Sequence, residues 1–504
     1  MKAVVIGTGF ESLASALHLR ALGHEVDVFE AGSEPGGEVY SLQVHGHSVA
    51  AAPCSTSAPW LFDGLFALFK ERRPDFVEFV PSNPYRRNLY PDGTHLDIVS
   101  SIEQQEDEIA RISPEDATRY RLFLKHCEQL YDKERAELKA SGAMTTPSLL
   151  RNLSIPSWSF SNLWRFTGGY FVDRRVRQAF SWHTLPLGGN PLVASARYAA
   201  MHVGERLEGV WCVRGGFPTL IKELVALGAR HGVRFHYGHQ VVSFSQDGSG
   251  RVSSIYSAHR GERVVTRCDL VVSGGDSATL SNALRDYQCS ALEKAYLKPT
   301  KPAMEMYWLF LKTKRPYPEV ADTTFLHSQR WEGLLSQIWK GSRLPKDPTF
   351  AVHRVPGSSH ATTRDEGSLF SVFVPVPNLS RYDGWKFDAL GFKDTIVTIL
   401  RDRLMPGLPT HLVFAEAIDP RHTRDIRGGS LRVGNPGGRE MGNSSYCRLR
   451  KISNLFICGS GLQGMWGISG GVMSASALAE VIGKEYPTNH PGERLDDIAA
   501  RSVA

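Results

Sequence analysis

The chain has 504 residues, 42% of them hydrophobic and 22% charged, an ordinary globular balance that excludes a disordered chain and leaves room for about three domains. Its 58 lysines and arginines against 52 acids leave a net charge of +6, too mild and too scattered for a nucleic-acid-binding face. Seven cysteines without a CxxC pair fit neither a disulfide framework nor a zinc site, and suit a reducing compartment.

The opening reads as a βαβ unit. Ala3 to Ile6 is a short buried strand. Phe10 to Leu22 carries Leu13, Ala16, Leu17 and Ala21 at helical spacing and stops at Gly23, and Val26 to Phe29 is a second buried strand ending at Glu30. From about 60 to 205 the chain is richer in aromatics and reads as mixed, largely helical segments, with a long charged helix from Arg119 to Ser141 and another from Val193 to His202. The αβ rhythm returns at Gly215-Gly216. A helix from Pro218 to His231 is followed by strands at Arg234–Tyr237, Gln240–Phe244 and Leu270–Ser273. Further strands fall at Met306–Phe310 and Phe370–Val376, a helix at Lys386–Met405, and a buried strand at Leu455–Cys458 before a glycine-rich turn and the helix Val472–Gly483. The polar tail after Lys484 reads as loose. No apolar stretch reaches the roughly 18 residues that span a bilayer, and the first residues lack a signal peptide's cationic and apolar regions. The expected location is the cytoplasm, in solution or at the cytoplasmic membrane surface.

Gly7-Thr8-Gly9 lies between the first strand and the first helix, with Ser12 where a third glycine often sits. Gly7 permits the tight turn, Gly9 lets backbone N–H groups approach a pyrophosphate, and Ser12 is small enough to keep helix and sheet close. Glu30 ends the second strand at the roughly 20-residue distance where a carboxylate accepts from ribose hydroxyls. This combination points to a dinucleotide site, which by itself does not separate FAD from NAD. Pro35-Gly36-Gly37 makes a further turn directly after the second strand.

With that turn the chain resembles bacterial phytoene desaturase-type enzymes, the carotenoid desaturases of the FAD-dependent amine oxidase superfamily. The likeness continues through Phe180-Ser181-Trp182-His183, Gly188-Gly189-Asn190-Pro191, Arg214-Gly215-Gly216 and Val271-Val272-Ser273 to the final glycine-rich segment. It implies an α/β fold in which a Rossmann-type FAD-binding domain (1–95, 205–275 and 440–485) is interleaved with a mixed α+β substrate domain (276–439) and a helical cap (96–204), before a flexible tail (486–504). By similarity Gly36 and Gly37 belong to the FAD site, and the backbone of Val241 would contact the adenine. Gly459-Ser460-Gly461 would meet the pyrophosphate and ribityl chain, and Gly467, Ile468 and Gly470 would face the flavin, with a helix N-terminus near Gly471. No metal ligands are implied.

Glu38 departs from the arginine or lysine usual after Gly-Gly. Leu462-Gln463-Gly464-Met465, followed by Trp466, replaces a Thr-His-Pro-Gly stretch, and Ser469 replaces a proline. The implied activity is hydride transfer from an apolar polyene to flavin N5. Alternatives are a redox-neutral carotenoid isomerase, an oxidase of a non-isoprenoid natural product, and a non-catalytic polyene-binding protein. His183 either contacts substrate or flavin or is a structural histidine. Trp466 packs either near the flavin or in the core. Arg151, Trp158, Phe160, Trp164, Arg165 and Phe166 form either a peripheral membrane contact or a cap on the protein's own core, and Arg174, Arg175 and Arg177 read as a solvated face. The expected partner is a hydrophobic small molecule, with no nucleic acid; oligomeric state is left open.

Overall fold

The computed structural model describes residues 1–37, 39, 41–52, 54–140, 161–274, 280, 282–284, 304–355, 367–422, 447–448, 452–459 and 467–488. Among them a six-stranded sheet takes the order Arg234–Tyr237, Glu25–Glu30, Lys2–Ile6, Leu270–Gly274, Leu455–Cys458 and Cys447–Arg448, parallel except for the last strand. Val4, Val5, Val26, Val28, Val271 and Val272 are wholly buried. One face packs on the first helix, Phe10–Ala21, and the C-terminal helix, Gly467–Glu485. The other is covered by an antiparallel three-stranded sheet, Gln240–Gln246, Val252–His259 and Glu262–Arg267. Burial on both faces is why these strands read as unbroken apolar runs.

A seven-stranded sheet runs Leu412–Ile418, Glu305–Thr313, Leu369–Val376, Phe350–Arg354, Thr323–Leu326, Arg86–Leu89 and His95–Ile98. Alternation sorts its residues. Tyr307, Leu309, Leu311, Phe370 and Val372 pack under the helix Trp385–Arg403, while Met306, Trp308, Phe310, Phe325 and Phe373 join Trp182 and Trp331 on the opposite face. A helical layer, Ile102–Ala110, Pro114–Ala140 and Ala200–Glu208, closes a third core around Phe123 and Phe180.

Several boundaries differ from expectation. The long helix starts at Pro114 rather than Arg119, because the Ser113 hydroxyl accepts from the Asp116 N–H (3.3 Å) and two acids fill the first turn. The Val193–His202 helix is instead a Ser195-capped turn, Ala196–Ala199, running into Ala200–Glu208. The last helix begins at Gly467, so Gly471 lies inside it rather than at its head. Within the stretch read as largely helical, Arg86–Leu89 and His95–Ile98 are strands of the seven-stranded sheet. No helix of the described residues is long and apolar enough to cross a membrane.

Candidate active site

The first strand sits where the chain departs in opposite directions along the six-stranded sheet, with Glu25–Glu30 on one side and Leu270–Gly274 on the other. Crevices that take ligands form beyond the carboxyl ends of strands at such a point. There Gly7 has φ +95° and donates its N–H to the Phe29 carbonyl at 2.8 Å. Gly9 heads the first helix, and no side chain caps it. Ser12 donates its hydroxyl to the Ile6 carbonyl at 3.1 Å, and a Cβ on Gly274 would lie 1.9 Å from that hydroxyl. Small residues thus bring helix and sheet together.

The loop after the second strand folds back onto this turn. Glu30 accepts from the Thr8 hydroxyl at 2.6 Å and from the Gly32 N–H at 2.7 Å, and the Gly36 N–H donates to Thr8 Oγ1 at 3.0 Å. Gly37, at φ +58°, lies against Gly9, where a Cβ would stand 3.2 Å from the Gly9 Cα and N. From the C-terminal side, Gly459 donates its N–H to Ser474 Oγ at 3.0 Å. Ser469 donates to the Ser57 carbonyl at 2.6 Å and contacts the Thr56 hydroxyl at 3.0 Å. Gly470 and Gly471 are buried in the C-terminal helix, Ile468 packs beside Phe10 and Phe217, and Gly467 takes φ +52° at the helix start. Bare backbone therefore meets at Gly9, at the head of the first helix, at Gly37, and at Gly471, one turn inside the last helix. Such a cradle suits an anion that needs backbone N–H groups at close range.

A model of the flavin containing amine oxidoreductase family matches residues 13–482. The chain belongs to that family. It is 29% identical to a lycopene-forming phytoene desaturase of Paracoccus sp., covering 95% of this chain and 97% of the relative. It is 27% identical to a neurosporene-forming phytoene desaturase of Cereibacter sphaeroides, covering 99% and 98%. Among solved structures, an oxidoreductase from Methanosarcina mazei matches at TM-score 0.65 and 16% identity, over 95% of this chain and all of that one. A putrescine oxidase matches at TM-score 0.61 and 15% identity, over 99% of both chains. These two likenesses establish a shared fold.

As a family member this chain is an FAD-dependent oxidoreductase, and the glycine-lined cradle fits a dinucleotide's pyrophosphate. The predicted set Gly7, Gly9, Ser12, Glu30, Gly36 and Gly37 converges on one turn, with Gly467, Ile468 and Gly470 on the helix that closes it. Val241 is buried beside Phe29 on the far face of the sheet. Gly461, Trp466 and Glu38 lie outside the described residues.

His183 stands elsewhere, in a buried charge cluster. Arg86 donates to both Glu205 oxygens at 2.7 and 2.6 Å and to His183 Nε2 at 2.7 Å. The same Nε2 lies 3.1 Å from Glu205 Oε2, so it faces both a guanidinium and a carboxylate, while Nδ1 has no partner among the described residues. Tyr120 Oη meets His202 Nε2 at 2.8 Å. Burial pushes both imidazoles down, His202 to about 3. Burial alone would raise the Glu205 carboxyl, but Arg86 and then His183 hold it well below the usual carboxylate range. The ligand atoms of His183, His202 and Glu205 lie within 4.8 Å of one another, a spacing compatible with a metal. The Arg86 guanidinium bonds two of the three, Glu205 and His183, and makes the cluster a buried ion pair. Arg86, His202 and Glu205 escaped the sequence reading, since nothing local marks an arginine in a short strand as buried.

The basic triplet is engaged by the protein itself. Arg174 pairs with Glu332, Arg175 with Asp173 and Asp92, and Arg177 stacks on Trp164 at 3.9 Å. Arg174 stays exposed, as a solvated face requires, while Arg175 and Arg177 are half-buried against these partners. Phe166 is buried in the helical core, while Arg151, Trp158 and Phe160 lie outside the described residues.

Proposed function

We propose that this protein is an FAD-dependent desaturase of the phytoene desaturase type, acting on an apolar polyene. The observation that carries the reading is end-to-end likeness to phytoene desaturases, taken with a glycine cradle of the right chemistry. When bound, FAD supplies the hydride acceptor that dehydrogenation of an unactivated carbon–carbon bond requires. The chain's own task is to bind, orient and exclude water. Gly7, Gly9, Ser12, Gly36, Gly37, Gly459 and Gly461 would hold the pyrophosphate end, Glu30 the ribose, and Val241 the adenine. Gly467, Ile468 and Gly470 would border the flavin ring, with Trp466 beside it. His183 would act by positioning, since its Nε2 is held in the buried Arg86–Glu205 cluster.

The finer reading adds peripheral contact with a membrane, from which such a substrate would enter. Val172 and Val193 are 65% and 63% exposed, which suits shallow burial in a lipid surface. Anaerobic mixing of the full-length protein with phytoene in liposomes tests the activity. Loss of the oxidised flavin's absorbance, with one new double bond formed per flavin, is expected. An altered double-bond geometry without bleaching would indicate an isomerase, and tight binding without any change would indicate a carrier.

A further inference from the structure

The pyrophosphate cradle holds an acid of its own. Glu11 lies in the first turn of the first helix, two residues after Gly9. Its carboxylate is close enough that a Cβ on Gly9 would stand 3.1 Å from Oε1, and a Cβ on Gly471 would stand 3.2 Å from Oε2. The carboxylate therefore lies beside the head of the first helix, between Gly9 and the second turn of the last helix. It also curls back toward the Glu11 N–H, one of the donors a phosphate would use.

Its surroundings give that charge little relief. No lysine, arginine or histidine pairs with it among the described residues. The strand Leu455–Cys458 contributes Cys458, whose thiol stays neutral because burial pushes it up to about 12. Gly274 and Gly471 face Glu11 from the neighbouring strand and helix and carry no charge. Across the turn, both Glu30 oxygens are taken by Thr8 and Gly32. Burial raises the Glu11 carboxyl above its ordinary value, and a dianionic pyrophosphate alongside would raise it further.

We propose that Glu11 is a built-in, proton-linked competitor for the pyrophosphate site, so that FAD binding takes up a proton at Glu11 and weakens as pH rises. The proposal rests on the reading that the cofactor's pyrophosphate lies at the head of the first helix. The sign follows from linkage: a carboxyl whose pKa is higher in the complex favours the complex at low pH. Affinity then falls by up to tenfold per pH unit between its free and bound pKa values.

Full-length wild-type and Glu11→Gln apoproteins, titrated with FAD by flavin fluorescence from pH 5.5 to 8.5, provide the test. Wild-type Kd is expected to rise at least tenfold across that range. Glu11→Gln should stay nearly flat and bind at least tenfold more tightly at pH 8.5. A wild-type Kd that does not change with pH overturns the proposal without reference to any variant, as does equal affinity of the two proteins at pH 8.5. Failure of both folded proteins to bind FAD at every pH removes the cofactor reading and this proposal together.

Discussion

Single residues carry the site in two contrasting ways. Gly37 is needed for what it lacks: its left-handed backbone costs a side-chain-bearing residue about 1 kcal/mol, and a Cβ would press on Gly9. Gly37→Val is expected to purify without flavin while keeping its far-ultraviolet circular dichroism, as the flavin-to-protein absorbance ratio will show. Glu205 is needed for its charge. Glu205→Gln leaves the Arg86 guanidinium buried without a counter-ion, and breaking such a pair costs about 3–5 kcal/mol. Urea unfolding should register that loss, and adding Arg86→Met should recover part of it. The glycines could be found in the sequence because their requirement is local to a turn. The Arg86–Glu205 pair could not, since its members lie 119 positions apart. Glu11 was equally hidden: an acid in a first helical turn is the ordinary preference, and only the arrival of Gly471 makes its position unusual.

At the scale of elements, legibility followed burial. Lys2–Ile6, Leu270–Gly274 and Leu369–Val376 are buried on both faces and show as apolar runs. Arg86–Leu89 and His95–Ile98 are four-residue strands with charged or polar residues, so pairing with a distant partner, not local pattern, decides them. The strand Glu305–Thr313 pairs on both edges, with Leu412–Ile418 and Leu369–Val376, and its Leu309 is wholly buried in the core under the helix Trp385–Arg403. Leu309→Ala is expected to lower stability by about 2–5 kcal/mol. Its denaturant midpoint should fall with little change in slope, which would place the loss in packing rather than in the compactness of the unfolded chain.

Across the whole molecule, buried imidazoles set the response to acid. Burial holds His18 and His353 down to about 4, and His202 and His327 to about 3. An imidazole with a depressed folded pKa binds its proton more readily when unfolded. Its contribution to stability is therefore complete above the ordinary value of 6.5 and lost as pH falls toward the folded one. Each such group costs up to about 1.4 kcal/mol per pH unit in that window. The apoprotein's melting temperature should be level above pH 7 and decline steadily between pH 6.5 and 4, whereas a protein limited by surface carboxylates would hold until nearer pH 4.

The approach of the last strand to the first helix has a consequence for biosynthesis. Cys458 Sγ meets the Glu11 carbonyl from 447 positions further along the chain, so the opening βαβ segment leaves the ribosome long before its closing helix has been translated. Until then the first helix is covered where Phe62 and Phe217 meet Phe10, and the face that the last helix covers stays open. Closure of the flavin crevice accordingly waits for the last helix to be made.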